Sequence, residues 1–535
     1  MIRKTLLLLS AISVVAVPAA AQNRASERAL RSSSDAQVFL GAFQAIRDYG
    51  LIAHDDSTLW DKALDGLIAG LDDPYATVFT PETFDEFQEG NTGSYAGIGV
   101  QITNLNETIT ITAVFRNTPA ANSGLLVGDL IVGVNGVSTK GWTTGQASDT
   151  IRGEVGTDVN LTVARQGLTA LMYHTMARDS VHVSSVVADM VTPRVGYVAL
   201  DRVARSSAQE VDSALTYLAA AEAIVLDLRG NPGGFLDESL MLSDLFLEKG
   251  QRLASLESRT PRAGRGNNDE VWDAKRAARI PGKPIVVLVD RFSASAAEIV
   301  AGALQDHDRA VVLGERTFGK GIVQSVIRLS ESRHLRLTTG EWFTPLGRSL
   351  HRRRDQQGRP LPEVPENFPT VVTQAGRELS GGGGIFPDLE IPADTLKTME
   401  RVFLSQAAGD SVPVGLRIEE FAFDVATRLK DQGAEPALDE AAFRGFTEGL
   451  AEEGNLQEAL ADPVVLDYLK WRVMVSVANR MDRLGKSLEI RAERDPVLSE
   501  AIRLLGEVKT QPELFAVVDQ REMDRRRAST GGGER

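Results

Sequence analysis

The sequence of 535 residues contains no cysteine, which excludes disulfides and lipid anchors attached through a thiol. Beyond the N-terminus it has no apolar run long enough to cross a bilayer. Histidine is scarce, and the six residues show no spacing typical of a metal site, so we predict no metal and no other cofactor. The net charge of −15 argues against nucleic acid and anionic membranes as general partners.

The first residues do carry an export pattern. Arg3 and Lys4 precede the apolar stretch "TLLLLSAISVVAV", which is too short to span a bilayer, and "AAA" follows at 19–21. This order predicts a signal peptide cleaved after about Ala21. We therefore expect a soluble protein of the periplasm, stabilised without disulfides.

The chain is too long for one hydrophobic core, and the secondary structure that its residue pattern predicts changes several times along it. Helical periodicity gives way to short strands and glycine turns, then to alternating strands and helices, then to helices again. We predict a signal peptide (1–21), an N-terminal helical region (22–92), a β-rich module (93–168), an α/β core (169–395) with a surface loop (346–384), a C-terminal helical region (396–521) and a disordered tail (522–535). The C-terminal helices could form a dimer, cover the active site, dock an adaptor or simply pack as an appendage.

A serine and a lysine are the main candidates for chemistry. Ser295 in "SASAAE" follows the apolar run "PIVVLVD", and with Glu298 it has the form of a helix capping box. His307 lies several helical turns away, so a Ser-His-Asp triad is the weaker interpretation. Lys320, in "GERTFGKGIVQ", is either a solvated turn residue or a base that burial makes neutral.

Two turns, one of them glycine-rich, favour the catalytic interpretation. "NPGG" and "SASA" each follow a strand, and in a parallel sheet both turns lie at the carboxyl edge, where sites collect. A helix start and exposed backbone N–H groups can stabilise a developing oxyanion. Taken alone, "NPGG" could equally be an ordinary tight turn.

Four motifs in order resemble the carboxyl-terminal processing (tail-specific) proteases: "DLRGNPGG", "DRFSASAAEIVAGALQD", "GERTFGKGIVQ" and "GIFPDLEI". The resemblance implies a multidomain α/β protein in which a PDZ module precedes a β-α-β, crotonase-like or ClpP-like protease core. It also implies Ser295 rather than Ser293 as the nucleophile and Lys320 as the base. The remaining implied site residues are Gln324 in support of the lysine and an oxyanion hole made by the N–H groups of Ala296 and Gly233.

The stretch "GSYAGIGVQI…NTPAANSGLLVGDLIVGVNG" resembles the PDZ domain of that family. Consecutive N–H groups in "GIGV" can bind a terminal carboxylate, and the strand after them can pair with a substrate tail. Arg152, at the end of the groove helix, is a candidate for contact with the catalytic core, although a solvated arginine is the interpretation that the sequence favours. The predicted groove residues are Gly97, Ile98, Gly99, Val100, Ile102 and Ile151.

These features predict a periplasmic serine endopeptidase with a Ser-Lys dyad that recognises the carboxyl terminus of unfolded or tagged proteins. Its expected partners are protein and peptide substrates, with an adaptor and a homodimer left open. The main alternative is a catalytically silent PDZ scaffold of the cell envelope. A more distant one is a histidine-dependent hydrolase of small esters.

Overall fold

The computed structural model describes residues 12–13, 32–165, 168–258, 269–393 and 396–531. The predicted signal-peptide cleavage site, after Ala21, lies outside these ranges. Within them, no helix combines the length and the hydropathy that crossing a bilayer would require.

The N-terminal region contains three helices, and it also supplies a strand that pairs with a strand of the α/β core. Its first helix has no buried residue, and Phe43 on that helix stacks on Trp60 of the second at a ring distance of 4.1 Å. Its elements are α1 (Ser34–Tyr49), α2 (Asp56–Ala69), β2 (Thr77–Phe79) and α3 (Pro81–Thr92), and β1 (Ile12–Ser13) precedes them within the predicted signal peptide.

The β-rich module contains a five-strand path, β4-β5-β6-β8-β9, with β4 at one edge and β7 paired to β6. The last strand extends the module to Ala177, beyond the predicted boundary at 168, because Met176 on that strand is buried in the same core. The elements are β3 (Ser94–Gly97), β4 (Val100–Leu105), β5 (Thr108–Val114), α4 (Pro119–Asn122), β6 (Leu130–Val134), β7 (Val137–Ser138), α5 (Thr144–Ile151), β8 (Asp158–Ala164) and β9 (Met172–Ala177).

The α/β core is built on a sheet of order β11-β12-β13-β16-β17-β22, in which all neighbours from β12 onward are parallel. Its central strands are fully buried, as their continuous apolar sequences predict. The elements are β10 (Asp179–His182), β11 (Val186–Met190), β12 (Val195–Leu200), α6 (Ser207–Tyr217), β13 (Ala223–Asp227), α7 (Leu236–Asp244), β14 (Arg252–Ser258), β15 (Glu270–Asp273), β16 (Ile285–Val289), α8 (Ala296–Asp306), β17 (Val311–Gly314) and β22 (Leu389–Glu390).

A second sheet, β1-β18-β19-β14-β15, lies beside the first, and β2 pairs with β19. This sheet carries Gln324, while Lys320 lies in the turn just before it. Its remaining strands are β18 (Ile322–Arg328) and β19 (His334–Phe343).

The segment 346–384, predicted as a surface loop, is anchored in the core. The guanidinium of Arg348 pairs with Asp306 at 2.5 Å, and both side chains are almost fully buried. Leu350 and Leu379 are also buried. The correction follows from this ion pair, since composition alone gives no sign that an arginine in a loop will be buried. The segment contains β20 (Thr370–Val372) and β21 (Glu378–Ser380).

The C-terminal helices divide into two groups. One group forms its own apolar cluster, while side chains of the last three helices pack on the face of the first sheet opposite α8. The second group therefore packs on the α/β core, and the other predicted roles of these helices stay predictions. The helices are α9 (Thr398–Gly409), α10 (Val414–Asp431), α11 (Glu440–Glu453), α12 (Gln457–Leu460), α13 (Pro463–Arg480), α14 (Leu484–Ala492), α15 (Pro496–Glu507) and α16 (Gln511–Gly531).

The final helix continues to Gly531, through most of the segment predicted to be a disordered tail. Arg521, just before that segment, contacts Glu500 and Glu507 of the preceding helix. These ion pairs attach the final helix to the preceding one just before residue 522. The charged composition of the last residues predicts disorder, whereas the structure has a helix there up to Gly531.

Candidate active site

Ser295 lies at the start of α8, directly after the turn that follows β16. Its side chain is fully buried, and its backbone has φ 56° and ψ −115°, a conformation that non-glycine residues rarely adopt. Strain of this kind costs about 1–3 kcal/mol and persists only where the surroundings impose it. The serine is therefore held in one position by its environment.

Glu298 provides that environment. One carboxylate oxygen, Oε2, accepts hydrogen bonds from the N–H groups of Ser295 at 2.7 Å and of Lys320 at 2.8 Å. The other oxygen accepts from the Gly319 N–H and the Thr317 hydroxyl. Burial raises the pKa of Glu298, while these four donors favour its charged form. The carboxylate thus fixes the serine and the lysine relative to each other.

Lys320 is fully buried rather than solvated. Burial is the main cause that lowers the pKa of its ammonium well below the usual value, with a further contribution from Arg336. Asp73 and Glu298 act in the opposite direction but do not outweigh it. A lysine in this state can be neutral and accept a proton, which is what activation of a serine requires.

Gln324 contacts the lysine, as the resemblance implies. Its Oε1 accepts a hydrogen bond from Lys320 Nζ at 3.2 Å, and its Nε2 donates to the carbonyl of Tyr75 at 2.8 Å. The ring of Tyr75 lies 4.5 Å from Lys320 Nζ. Sequence patterns do not identify Tyr75 as a site residue, because a tyrosine in the turn "DDPY" shows no spacing relation to the distant motifs that contain Ser295 and Lys320.

The two predicted oxyanion-hole residues lie next to the serine. A Cβ atom placed on Gly233 would come within 2.8 Å of Ser295 Cβ and 2.9 Å of Ala296 N, so only glycine fits there. The Gly233 N–H donates to Asn231 Oδ1 at 2.8 Å in this structure. Gly233 and the N–H of Ala296 therefore lie close together, and the N–H of Gly233 is bonded to the side chain of Asn231.

The competing candidates occupy structural positions. The Ser293 hydroxyl donates to the Leu228 carbonyl at 2.8 Å and completes a turn with Asp290. His307 lies at the far end of α8, where its Nε2 contacts the Arg252 carbonyl at 2.7 Å. Among the described residues, no three histidine or acidic side chains are grouped as a metal site would require.

The predicted groove of the β-rich module forms a cavity of about 50 Å³ between β4 and α5. Five of the six predicted residues line it, and Gly99 lies among them with φ +86°. Because β4 is an edge strand of its sheet, an extended peptide could add to it. The lining residues are Tyr95, Gly97, Ile98, Val100, Ile102, Ser148, Ile151 and Arg152.

Arg152 closes one end of this cavity. Its guanidinium bonds Glu89 Oε2 of α3 at 2.7 Å and lies 4.8 Å from the ring centre of Tyr95. It therefore contacts the N-terminal region, whereas the sequence suggested the catalytic core. Tyr95 is a further groove residue that sequence reasoning missed.

Two family models match the chain, one over the segment that contains Ser295 and Lys320 and one over the part of the β-rich module that begins after β4. The model of peptidase family S41 matches residues 194–356, and a PDZ domain model matches residues 110–165. The fold and the matched segments define a PDZ-containing serine peptidase, which confirms the family predicted from the motifs.

Curated relatives show which peptidases of this family the chain resembles. The carboxy-terminal-processing protease of Bartonella bacilliformis is 35% identical over 58% of this chain and 70% of its own length. The carboxy-terminal processing protease CtpA of Bacillus subtilis is 33% identical over 58% of this chain and 66% of its own. A solved PDZ domain of the Vibrio cholerae carboxy-terminal protease, in complex with a peptide, is 30% identical over 17% of this chain and 99% of its own, with a TM-score of 0.16. The chain belongs to the carboxy-terminal processing proteases of family S41.

Proposed function

We propose that this protein is a periplasmic serine endopeptidase that cleaves with a Ser295–Lys320 dyad. We further propose that it selects unfolded or tagged proteins by their carboxyl termini. The observation that carries the first proposal is the shared carboxylate oxygen, Glu298 Oε2, which holds the backbones of a strained serine and a fully buried lysine together.

In the first step, neutral Lys320 takes the proton of the Ser295 hydroxyl while the serine oxygen attacks the scissile carbonyl carbon. The carbonyl oxygen becomes an oxyanion beside the N–H groups of Ala296 and Gly233. Since Gly233 N–H is bonded to Asn231, that bond must be shared or exchanged when the oxyanion forms.

In the second step, the lysine ammonium returns its proton to the leaving amine, and the peptide bond breaks to give an acyl-enzyme. Water then attacks the acyl carbon while Lys320 takes one of its protons. The bond between the acyl carbon and Ser295 Oγ breaks, and the lysine returns the proton to the serine oxygen, which releases the product acid and restores the free enzyme. Gln324 Oε1 accepts from Lys320 Nζ in the free enzyme and keeps that nitrogen in place between the two proton transfers.

The edge position of β4 and the small cavity beside it support recognition of a chain end. Val100 and Ile102 line the cavity together with Ile151, which favours an uncharged last side chain. The "GIGV" turn offers N–H groups for the terminal carboxylate. The export pattern at the N-terminus supports the periplasmic location, which cell fractionation with periplasmic and cytoplasmic markers would test.

An adaptor and a second copy of the chain remain predicted partners. The apolar side chains of α1 are exposed, among them Val38, Phe39 and Ile46, and either partner could cover them. Light scattering of the purified protein would detect a dimer, and Phe39→Ser should reduce it if this face is the interface.

Cleavage of an unfolded substrate by matched serine variants tests the proposal. Ser295→Ala and Lys320→Ala should reduce the rate by about 10⁴-fold or more, because neither residue can replace the other. Ser293→Ala, in the neighbouring serine, should retain much of the activity. If a folded Lys320→Ala variant cleaves at the wild-type rate, the dyad is wrong. If no variant and no wild-type protein cleaves while the substrate tail binds, the silent scaffold is favoured.

A further inference from the structure

The turn between α2 and β2 covers the side chain of Lys320. Tyr75 in this turn is 5% exposed, and its ring centre lies 4.5 Å from Lys320 Nζ. Its carbonyl accepts hydrogen bonds from Gln324 Nε2 at 2.8 Å and from Arg336 Nε at 3.1 Å. A residue of the N-terminal region therefore completes the surroundings of the base.

The position of this turn is set by the second sheet. On its C-terminal side, Thr77–Phe79 pairs antiparallel with β19. On its N-terminal side, Asp73 Oδ2 accepts from the Thr338 N–H of the same strand at 3.2 Å. Phe79 is buried against Phe87 and Val326. Tyr75 is thus held on both sides by contacts that do not involve the dyad.

The Tyr75 carbonyl decides which end of the Gln324 amide faces the lysine. An amide presents either an acceptor oxygen or a donor NH₂ group, and only the oxygen can accept from an amine. Because Nε2 is engaged by Tyr75, Oε1 is directed to Lys320 Nζ. The ring meanwhile occupies space beside Nζ that water would otherwise fill, and water stabilises the charged form of a lysine.

We propose that Tyr75 is a positioning residue for the base: its ring excludes water from Lys320, and its carbonyl orients Gln324. The proposal rests on the dyad proposed above. It assigns part of the catalytic centre to the N-terminal region, outside the segment that matches the peptidase family model.

Charged groups also surround Lys320, and one of them, Arg354, interacts with the phenol of Tyr75. Tyr75→Phe removes this interaction but keeps the ring, so it separates the effect of the phenol from the effect of water. Arg336 and Arg354 disfavour a second positive charge, while Asp73 and Glu298 favour it. His351 also lies close enough to interact with the lysine, and burial lowers the pKa of its imidazole. Burial raises the pKa of Tyr75 to about 12, so the phenol itself stays neutral in ordinary assays.

The test compares the pH dependence of kcat for the wild type, Tyr75→Phe, Tyr75→Leu and Tyr75→Ala. Tyr75→Phe keeps the ring and the carbonyl and should keep the midpoint of the rising limb. Tyr75→Ala admits water, so its midpoint should move upward by about one pH unit, with a tenfold loss below the midpoint that disappears at high pH. Tyr75→Leu should fall between them, and it serves as the test if the alanine variant does not fold. Tyr217→Ala, at an exposed tyrosine of α6, is the matched control.

The outcomes separate the two proposals. If the wild type has no limb that rises with pH, the dyad itself is wrong. If the wild type has this limb and the folded alanine or leucine variant keeps its midpoint, the dyad stands and the role of Tyr75 is wrong. A uniform loss of kcat at every pH would likewise reduce Tyr75 to a structural residue.

Discussion

The proposed catalytic centre and the PDZ groove differ in how far water reaches them. Ser295, Lys320 and Gln324 are each 0% exposed, and hydrogen bonds hold both the backbone and the side chain of the lysine. In the groove, by contrast, Val100 and Ile102 are only partly buried and β4 has an unpaired edge. Proton transfer needs a fixed, dry geometry, whereas peptide binding needs backbone groups that are still available.

Among the variants that test the contrast between the proposed catalytic site and the groove, Glu298→Gln should have the largest effect. The variant keeps the shape of the side chain but replaces an acceptor oxygen with a donor group where backbone and hydroxyl donors converge. We expect kcat to fall by about 10²-fold, since displacement of reacting groups has effects of this size. The free energy of unfolding should fall by about 2–3 kcal/mol.

Steady-state kinetics and urea denaturation measure these two effects. Glu222→Gln removes a surface carboxylate that pairs with Arg194 and should change neither by much. Wild-type activity and stability in Glu298→Gln would show that the shared carboxylate does not hold the dyad together.

The pH dependence of the wild-type rate tests whether Lys320 acts as the base of the proposed dyad. Protonated Lys320 cannot act as a base, so kcat should rise about tenfold per pH unit below the pKa of the lysine and level off above it. Because burial lowers this pKa, the plateau should begin well below the usual lysine value of 10.5. EDTA should leave the rate unchanged.

Two results would contradict this prediction. One is a rate that falls as pH rises through the same range, since the sign would then be that of a required acid. The other is loss of activity in EDTA with recovery on addition of zinc, which would indicate a metal-dependent reaction.

The smallest effect is expected at the groove. Amidating the carboxyl terminus of a substrate removes the charge that the "GIGV" turn would bind, so KM should rise by about tenfold while kcat stays the same. The preference for apolar over charged last residues should also become weaker. Equal rates for free and amidated substrates would mean that the PDZ domain does not recognise the carboxyl terminus of the substrate.

The sequence predicted those parts of the catalytic site that lie within local motifs. Ser295 follows a buried strand and opens a helix, and Lys320 follows the next strand, as their patterns indicate. Tyr75 could not be found in this way, because its contact with the lysine depends on the pairing of β2 with β19. Periodicity identifies a strand but does not specify its partner in another region.

Boundaries and surface segments were predicted less well for a related reason. The strand Met172–Ala177 completes the PDZ sheet by pairing with the preceding strand, although it begins after the predicted boundary at 168. Arg348 looks like a loop residue in the sequence, and its buried partner Asp306, 42 positions earlier, reveals its role. Composition indicates neither the pairing of the strand nor the burial of the arginine.

The order of synthesis gives the C-terminal helices a further consequence. The strands of the first sheet, apart from β22, lie between residues 186 and 314, but one face of that sheet is covered by side chains from Leu488 to Val518. A chain is made from its N-terminus, so these strands are synthesised more than 170 residues before the side chains that cover them. This face of the sheet therefore stays uncovered until the C-terminal helices have been made and have packed on it.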